Sequence, residues 1–96
     1  MAVRIKHDAS ANAAAAITVA GANFVDWVAW SYSGTPTAGG ITISVDGSVI
    51  FNHDITVGGP GQWRFEPAIG ALGTAVVITL AKGGTGVTGK VTAMVR

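Results

Sequence analysis

Histidine and aspartate stand side by side twice, as His7-Asp8 and His53-Asp54. Two imidazoles and two carboxylates brought together could hold a divalent metal ion. Adjacent residues on an extended strand point to opposite faces, so each pair can send only one ligand inward. Strand-end polar residues are the simpler reading, and no metal site is expected. The string Gly84-Thr85-Gly86-Val87-Thr88-Gly89-Lys90 fits two phosphate-binding patterns, G-x-G-x-x-G and G-x-x-x-x-G-K, up to a final Ser/Thr that is Val91 here. Either pattern works as a loop opening a helix, whose N-terminal N–H groups hold the phosphates. Val91-Thr92-Ala93-Met94-Val95 reads as a strand, which makes the string a glycine turn and leaves no cofactor expected. Nucleophilic catalysis needs a nucleophile, a base and an orienting group in contact. With two histidines, no cysteine and no nucleophile-elbow pattern around any serine, no catalytic residue is assigned.

Trp27, Trp30, Tyr32 and Trp63 are the stronger candidates, because rings can fill a core, cover a protein interface or stack on sugars. Composition favours contact over chemistry. Of 96 residues, 49% are hydrophobic and 11% charged, against roughly 25% charged in an average soluble domain. So little charge leaves apolar area on a small surface, and contiguous apolar area marks a contact. Six Lys/Arg against five Asp/Glu leave a net charge of +1, without the basic excess that nucleic-acid binders use against phosphates. No apolar run reaches the ~20 residues of a membrane-crossing helix, so neither nucleic acid nor membrane is expected as a partner. The first residues imitate a secretory signal poorly, since Asp8, Ser10 and Asn12 interrupt the alanine-rich stretch.

These residues need strands to position them. β-branched runs punctuated by Gly, Pro, Asn and Asp predict strands over 2–7, 16–20, 24–33, 41–46, 48–54, 62–66, 75–81 and 87–95. The chain therefore reads as one all-β domain over 1–96, a small jelly-roll-like β-sandwich of about eight short antiparallel strands. An immunoglobulin-like sandwich is the near alternative. The stretch 11–16 has helix-forming composition but is long enough for one turn at most. Asp46-Gly47 suits a two-residue type I′ hairpin turn. That register sets Ser44 opposite Val49 and Ile43 opposite Ile50, with Ile41, Ile43, Val45 and Ile50 on one face and Thr42, Ser44, Val49 and Phe51 on the other. Along 24–33, Phe24, Val28, Trp30 and Tyr32 share one face, and Val25, Trp27 and Ala29 the other. A two-layer fold buries one face of each strand, so the surplus apolar faces predict self-association, a dimer first and a trimer next. Interface candidates are Trp27, Trp63, Val49, Phe51, Arg4 and Lys6. Residues 1–8 are expected either as an edge strand of the chain's own sandwich or as an assembly arm.

The string Trp27-Val28-Ala29-Trp30-Ser31-Tyr32-Ser33-Gly34-Thr35-Pro36 bears a further resemblance, together with the Asp46-Gly47 hairpin, Asp54-Ile55-Thr56, Gly59-Pro60-Gly61 and the 83–90 glycine string. In texture these resemble small virion proteins of tailed bacteriophages, in the style of the decoration, or cement, proteins of the head exterior. The resemblance implies a non-enzymatic β-sandwich that forms dimers or trimers and clamps the major capsid protein at the virion surface. It carries no site residues. The alternative is a carbohydrate-binding β-sandwich module, free-standing or on a phage fibre. A decoration protein is expected to expose β-branched apolar strips, and a sugar binder to expose coplanar rings with polar groups beside them.

Overall fold

The structure, a computed structural model, describes residues 4–11, 13–19, 24–70 and 75–96, and of residue 4 the backbone alone. Residues 2, 3 and 20 of the expected strands lie outside this range. The described chain forms eight strands: β1 (Arg4–Ala11), β2 (Ala15–Val19), β3 (Phe24–Tyr32), β4 (Gly39–Val45), β5 (Ser48–Ile55), β6 (Gly61–Gly70), β7 (Val76–Leu80) and β8 (Thr88–Val95). They build two four-stranded antiparallel sheets, ordered β1-β8-β3-β6 and β2-β7-β4-β5. All eight expected strands are present. Residues 9–11 continue β1 and Ala15 already opens β2, where a helical turn was expected at most. β6 runs on past Pro67, and the proline breaks no ladder bond because it lies between Arg64 and Ile69, where β6 falls out of register with β3.

The connectivity is one hairpin rolled up. β4 pairs with β5, β3 with β6, β2 with β7 and β1 with β8. The partners Val45 and Ser48, Trp30 and Gly61, Ala15 and Leu80, and Arg4 and Val95 are all nearly equidistant in sequence from the Asp46-Gly47 turn. That nesting is the jelly roll. At its tip, Asp46 has φ 53° and Gly47 φ 82°, the pair of positive values that a type I′ turn requires.

Strict alternation places one layer of side chains between the sheets. β2 buries Ala15, Ile17 and Val19; β4 buries Ile41, Ile43 and Val45; β7 buries Val76, Ile78 and Leu80; β8 buries Val91, Ala93 and Val95. β3 adds Val25, Val28, Trp30 and Tyr32. Two β-bulges correct the expected faces, since one extra residue flips every side chain beyond it. A bulge at Asp26 in the pairing with β8 turns Val25, not Phe24, toward the core. Asp26 is held there by Arg96, whose Nε donates to both carboxylate oxygens at 3.1 Å. A second bulge at Ile50 pairs Ile43 with Phe51, so Ile50 is exposed and Phe51 turns inward. The bulge thus exchanges Phe51 for Ile50 on the exposed side of the hairpin. β1 is an edge strand of the chain's own sheet, paired with β8 from Arg4 to Ala11, and no described side chain on it is buried.

Tyr32 fastens the two sheets at one end. From β3 its hydroxyl donates to the Ala81 carbonyl at 2.6 Å and accepts from the Gly40 N–H at 3.4 Å, both in the other sheet's end loops and strands. Gly83 leaves the slot for the ring, since a Cβ there would stand 2.8 Å from Tyr32 Cδ1. Burial pushes the phenol above its ordinary value, with the Gly40 amide opposing to a smaller degree.

Two outcomes follow. No atom lies within 4 Å of a Cβ at Gly47, so Gly47→Val tests backbone strain alone. We expect a loss of about 1–3 kcal/mol in chemical denaturation, while Gly47→Asn, which tolerates positive φ, stays close to the parent. For Tyr32 the folded protein holds the phenolic proton more tightly than the unfolded chain does. Its contribution is complete below about pH 10 and falls as pH rises through the folded value. Tyr32→Phe should cost roughly 1–2 kcal/mol at neutral pH, and urea melts should show that deficit narrowing above about pH 10.

Candidate interaction surfaces

No cluster of catalytic type assembles from the candidates. His7 lies on β1 and His53 on β5, at opposite edges of the sandwich. Asp8 instead accepts a hydrogen bond from the Ala16 N–H of β2 at 3.0 Å. Among the described residues no three His, Cys, Asp or Glu side chains gather as a metal site would need. The 84–90 string is a turn entering β8, with Gly84 at φ 123° and Gly86 at φ 77°.

The registers define two outer faces of different chemistry. On the β1-β8-β3-β6 sheet, Ile5, Met94, Trp27 and Arg64 form one row across the strands. His7, Thr92, Ala29 and Gln62 form the next, and Ala9, Lys90 and Ser31 a third. Two shallow grooves lie on this face, one over Ser31, Gln62, Lys90 and Thr92, the other over Trp27, Met94 and Arg64. On the β2-β7-β4-β5 sheet the rows are Ala16, Thr79, Thr42 and Asn52, then Thr18, Val77, Ser44 and Val49. These rows hold no ring and no charge. Of the two faces, the rows of the first alone carry an aromatic ring, Trp27, and a lysine, Lys90, which lies two rows from it.

The sandwich is also asymmetric from side to side. β1 and β2 approach closely at one side, where Asp8 bridges them. At the other side the gap between β5 and β6 is filled by rings. His53 lies 5.4 Å from Trp30 and 5.2 Å from Trp63. Phe51 lies 5.5 Å from Trp63 and meets Phe65 edge-on at 4.9 Å. Gly61 makes room on β6, since a Cβ there would run into the Trp30 indole. Trp30 is 8% exposed and Trp63 44%. Sequence reasoning placed Trp63 and Phe51 among the interface candidates, weighed His53 only as a metal or catalytic ligand, and missed Phe65. The signal was the alternation Phe51-x-His53 and Trp63-x-Phe65, which places each pair on one face.

The candidates thus divide. Trp63 and Phe51 come together at the β5–β6 side, with Val49 on the same edge. Trp27 is half-buried on the outer face, and Lys6 is exposed on the far edge, β1. The Arg4 side chain lies outside the described residues. The apolar surplus sits mainly at the edges: among the described residues the exposed large apolar side chains are Ile5, Val49, Ile50, Val57 and Trp63. Burial separates the two tryptophans energetically. Trp30→Ala should cost about 3–5 kcal/mol of stability, and Trp63→Ala clearly less, as compared by urea denaturation.

A comparison with protein families finds no match, and none is found among curated proteins. Solved structures do match in fold. A chain from the acidic stable capsid structure of Helicobacter pylori bacteriophage KHP30 superposes with a TM-score of 0.63 at 10% identity, over 99% of this chain and 87% of that one. The Yersinia pseudotuberculosis-derived mitogen gives 0.53 at 8% identity, over 98% and 85%. The CBM36-1 domain of a multidomain xylanase from the hindgut metagenome of Trinervitermes trinervoides gives 0.54 at 8%, over 92% and 73%. At such identities the likeness is one of fold: the chain is an eight-stranded β-sandwich of jelly-roll type.

Proposed function

We infer that the chain is a structural virion protein, one that decorates and stabilises a bacteriophage capsid by binding the outer surface of major capsid subunits as a homo-oligomer. The observation that carries this reading is the kind of apolar surface exposed. Among the described residues, four of the five exposed large apolar side chains, Ile5, Val49, Ile50 and Val57, are β-branched and stand on or beside strand edges. Such strips suit protein contacts more than chemistry. The fold likeness to a chain of a phage capsid supports it. The mechanism is contact without catalysis. Modest interfaces repeat by symmetry, each 1.4 kcal/mol per site tightens binding about tenfold, and linked copies add effective concentration. The outer face bearing Trp27, Met94, Lys90 and Arg64 is the surface assigned to the capsid.

Carbohydrate binding is the second reading, favoured by Trp63 at the surface and by the fold likeness to a carbohydrate-binding module. A sugar platform needs coplanar exposed rings. The rings nearest Trp63 are tilted by 49° and 54° and are half-buried, which favours the virion reading.

Capsids of the encoding phage, stripped of this protein and mixed with it, test the reading. The protein should pellet with capsids at a saturating ratio, and Trp27→Ala should weaken binding tenfold or more, roughly the effect of losing one hot-spot ring. Protein that stays in the supernatant but is retained by a polysaccharide matrix would establish the carbohydrate reading instead.

A further inference from the structure

We propose that the β5 edge is a two-fold interface through which two copies of this chain pair antiparallel, with His53 on the dyad. Each sheet ends in two edge strands, and three of the four are guarded. β1 carries Lys6, His7 and Asp8, and its Asp8 side chain already occupies the Ala16 N–H of β2. β6 carries Arg64, Glu66 and Pro67, the charges and proline that discourage edge pairing. β5 is the least guarded: it has no lysine, arginine or proline, and beyond the Ile50 bulge Asp54 is its one carboxylate on an edge whose outer backbone is unpaired.

The occupant follows from the sequence symmetry of this edge. Beyond the Ile50 bulge the strand is regular from Phe51 to Ile55, and His53 is its centre. An antiparallel pair centred on His53 sets Asn52 opposite Asp54 of the second copy, an amide donor against a carboxylate, and does so twice. The same register sets Phe51 against Ile55. Val49 and Val57, 61% and 67% exposed, stand four residues to either side of His53, so each end of one strand brings an exposed valine to the other's. The half-exposed Trp63 ring, 5.2 Å from His53, flanks the dyad. Hydrogen-bonding pairs and apolar pairs across strands stabilise, whereas like charges directly opposite destabilise. A standard interface buries ~800 Å² per partner, about a sixth of the 5108 Å² surface. The joined edges make one eight-stranded sheet and cover the open side of each sandwich. This pairing supplies the oligomer that the decoration reading calls for, but it rests on the edge and not on the capsid.

The chain has no cysteine, so introduced thiols report the register without background. Asn52→Cys and Asp54→Cys are both at exposed positions. In this register 52 faces 54 of the partner, while 52 and 52 lie diagonal, beyond the span of a relaxed disulfide. Under mild oxidation each variant alone should cross-link little, and their mixture should cross-link strongly. The parent should sediment at twice 9.6 kDa. Asn52→Asp, which sets carboxylates opposite each other twice, should raise the dimer dissociation constant by about 2–30-fold, and adding Asp54→Asn should restore it. Ile5→Lys on the far edge should leave the mass unchanged. A parent of 9.6 kDa at hundreds of micromolar, a mass other than the dimer's, or a mixture that cross-links no better than either variant alone would overturn the proposal. Capsid pelleting is read separately: a dimer that ignores capsids removes the decoration reading and leaves the interface standing.

Discussion

The structure hangs on the Asp46-Gly47 turn. Every strand pair of the nested roll is folded back about it, so the left-handed backbone at two residues sets which strands meet across all four pairs. Were the turn to take another loop length, the β4–β5 register would shift and every side chain beyond would change face. From that tip outward the inner strands alternate, apart from the bulge at Asp26, and give one face to a single core layer. The Tyr32 hydroxyl then locks the far end of the roll by joining β3 to the opposite sheet.

A single layer between two short sheets has a consequence for function. There is no room for a buried cleft, and buried polar or charged residues are absent among the described ones. What the chain can offer a partner is its faces and its edges. The two faces differ: one holds Trp27, Met94, Lys90 and Arg64, the other rows of small residues. The two sides differ as well. One is closed by approaching strands and an aspartate-to-backbone bond, the other held by tilted rings between β5 and β6. Surface chemistry is therefore divided between one ring-bearing face and one little-guarded edge, and the proposed function uses the first and the proposed pairing the second.

Most of the fold was legible in the sequence because it depends on period-two patterning and on a turn with a strong local signature. The eight strands, the Asp46-Gly47 conformation and the burial of Trp30 all follow from such local signals. The two bulges do not. Nothing about Asp26 or Ile50 as residue types marks an extra residue in a ladder, and their effect is visible only once the opposite strands fix the register. The face assignments of Phe24, Val25, Ile50 and Phe51 failed for that reason. The ring cluster was half legible: Phe51 and Trp63 stood out as large apolar residues, but their meeting joins strands on different sheets, a tertiary fact. β6 extends past Pro67 because the proline falls in the irregular stretch between Arg64 and Ile69, which only the register against β3 reveals.

The most direct measurement is an image reconstruction of capsids incubated with the protein. The account predicts sandwich-shaped density on the outer surface at symmetry-repeated positions, with the Trp27 face turned to the shell and copies joined through β5. A bare shell beside protein that remains in solution would contradict it.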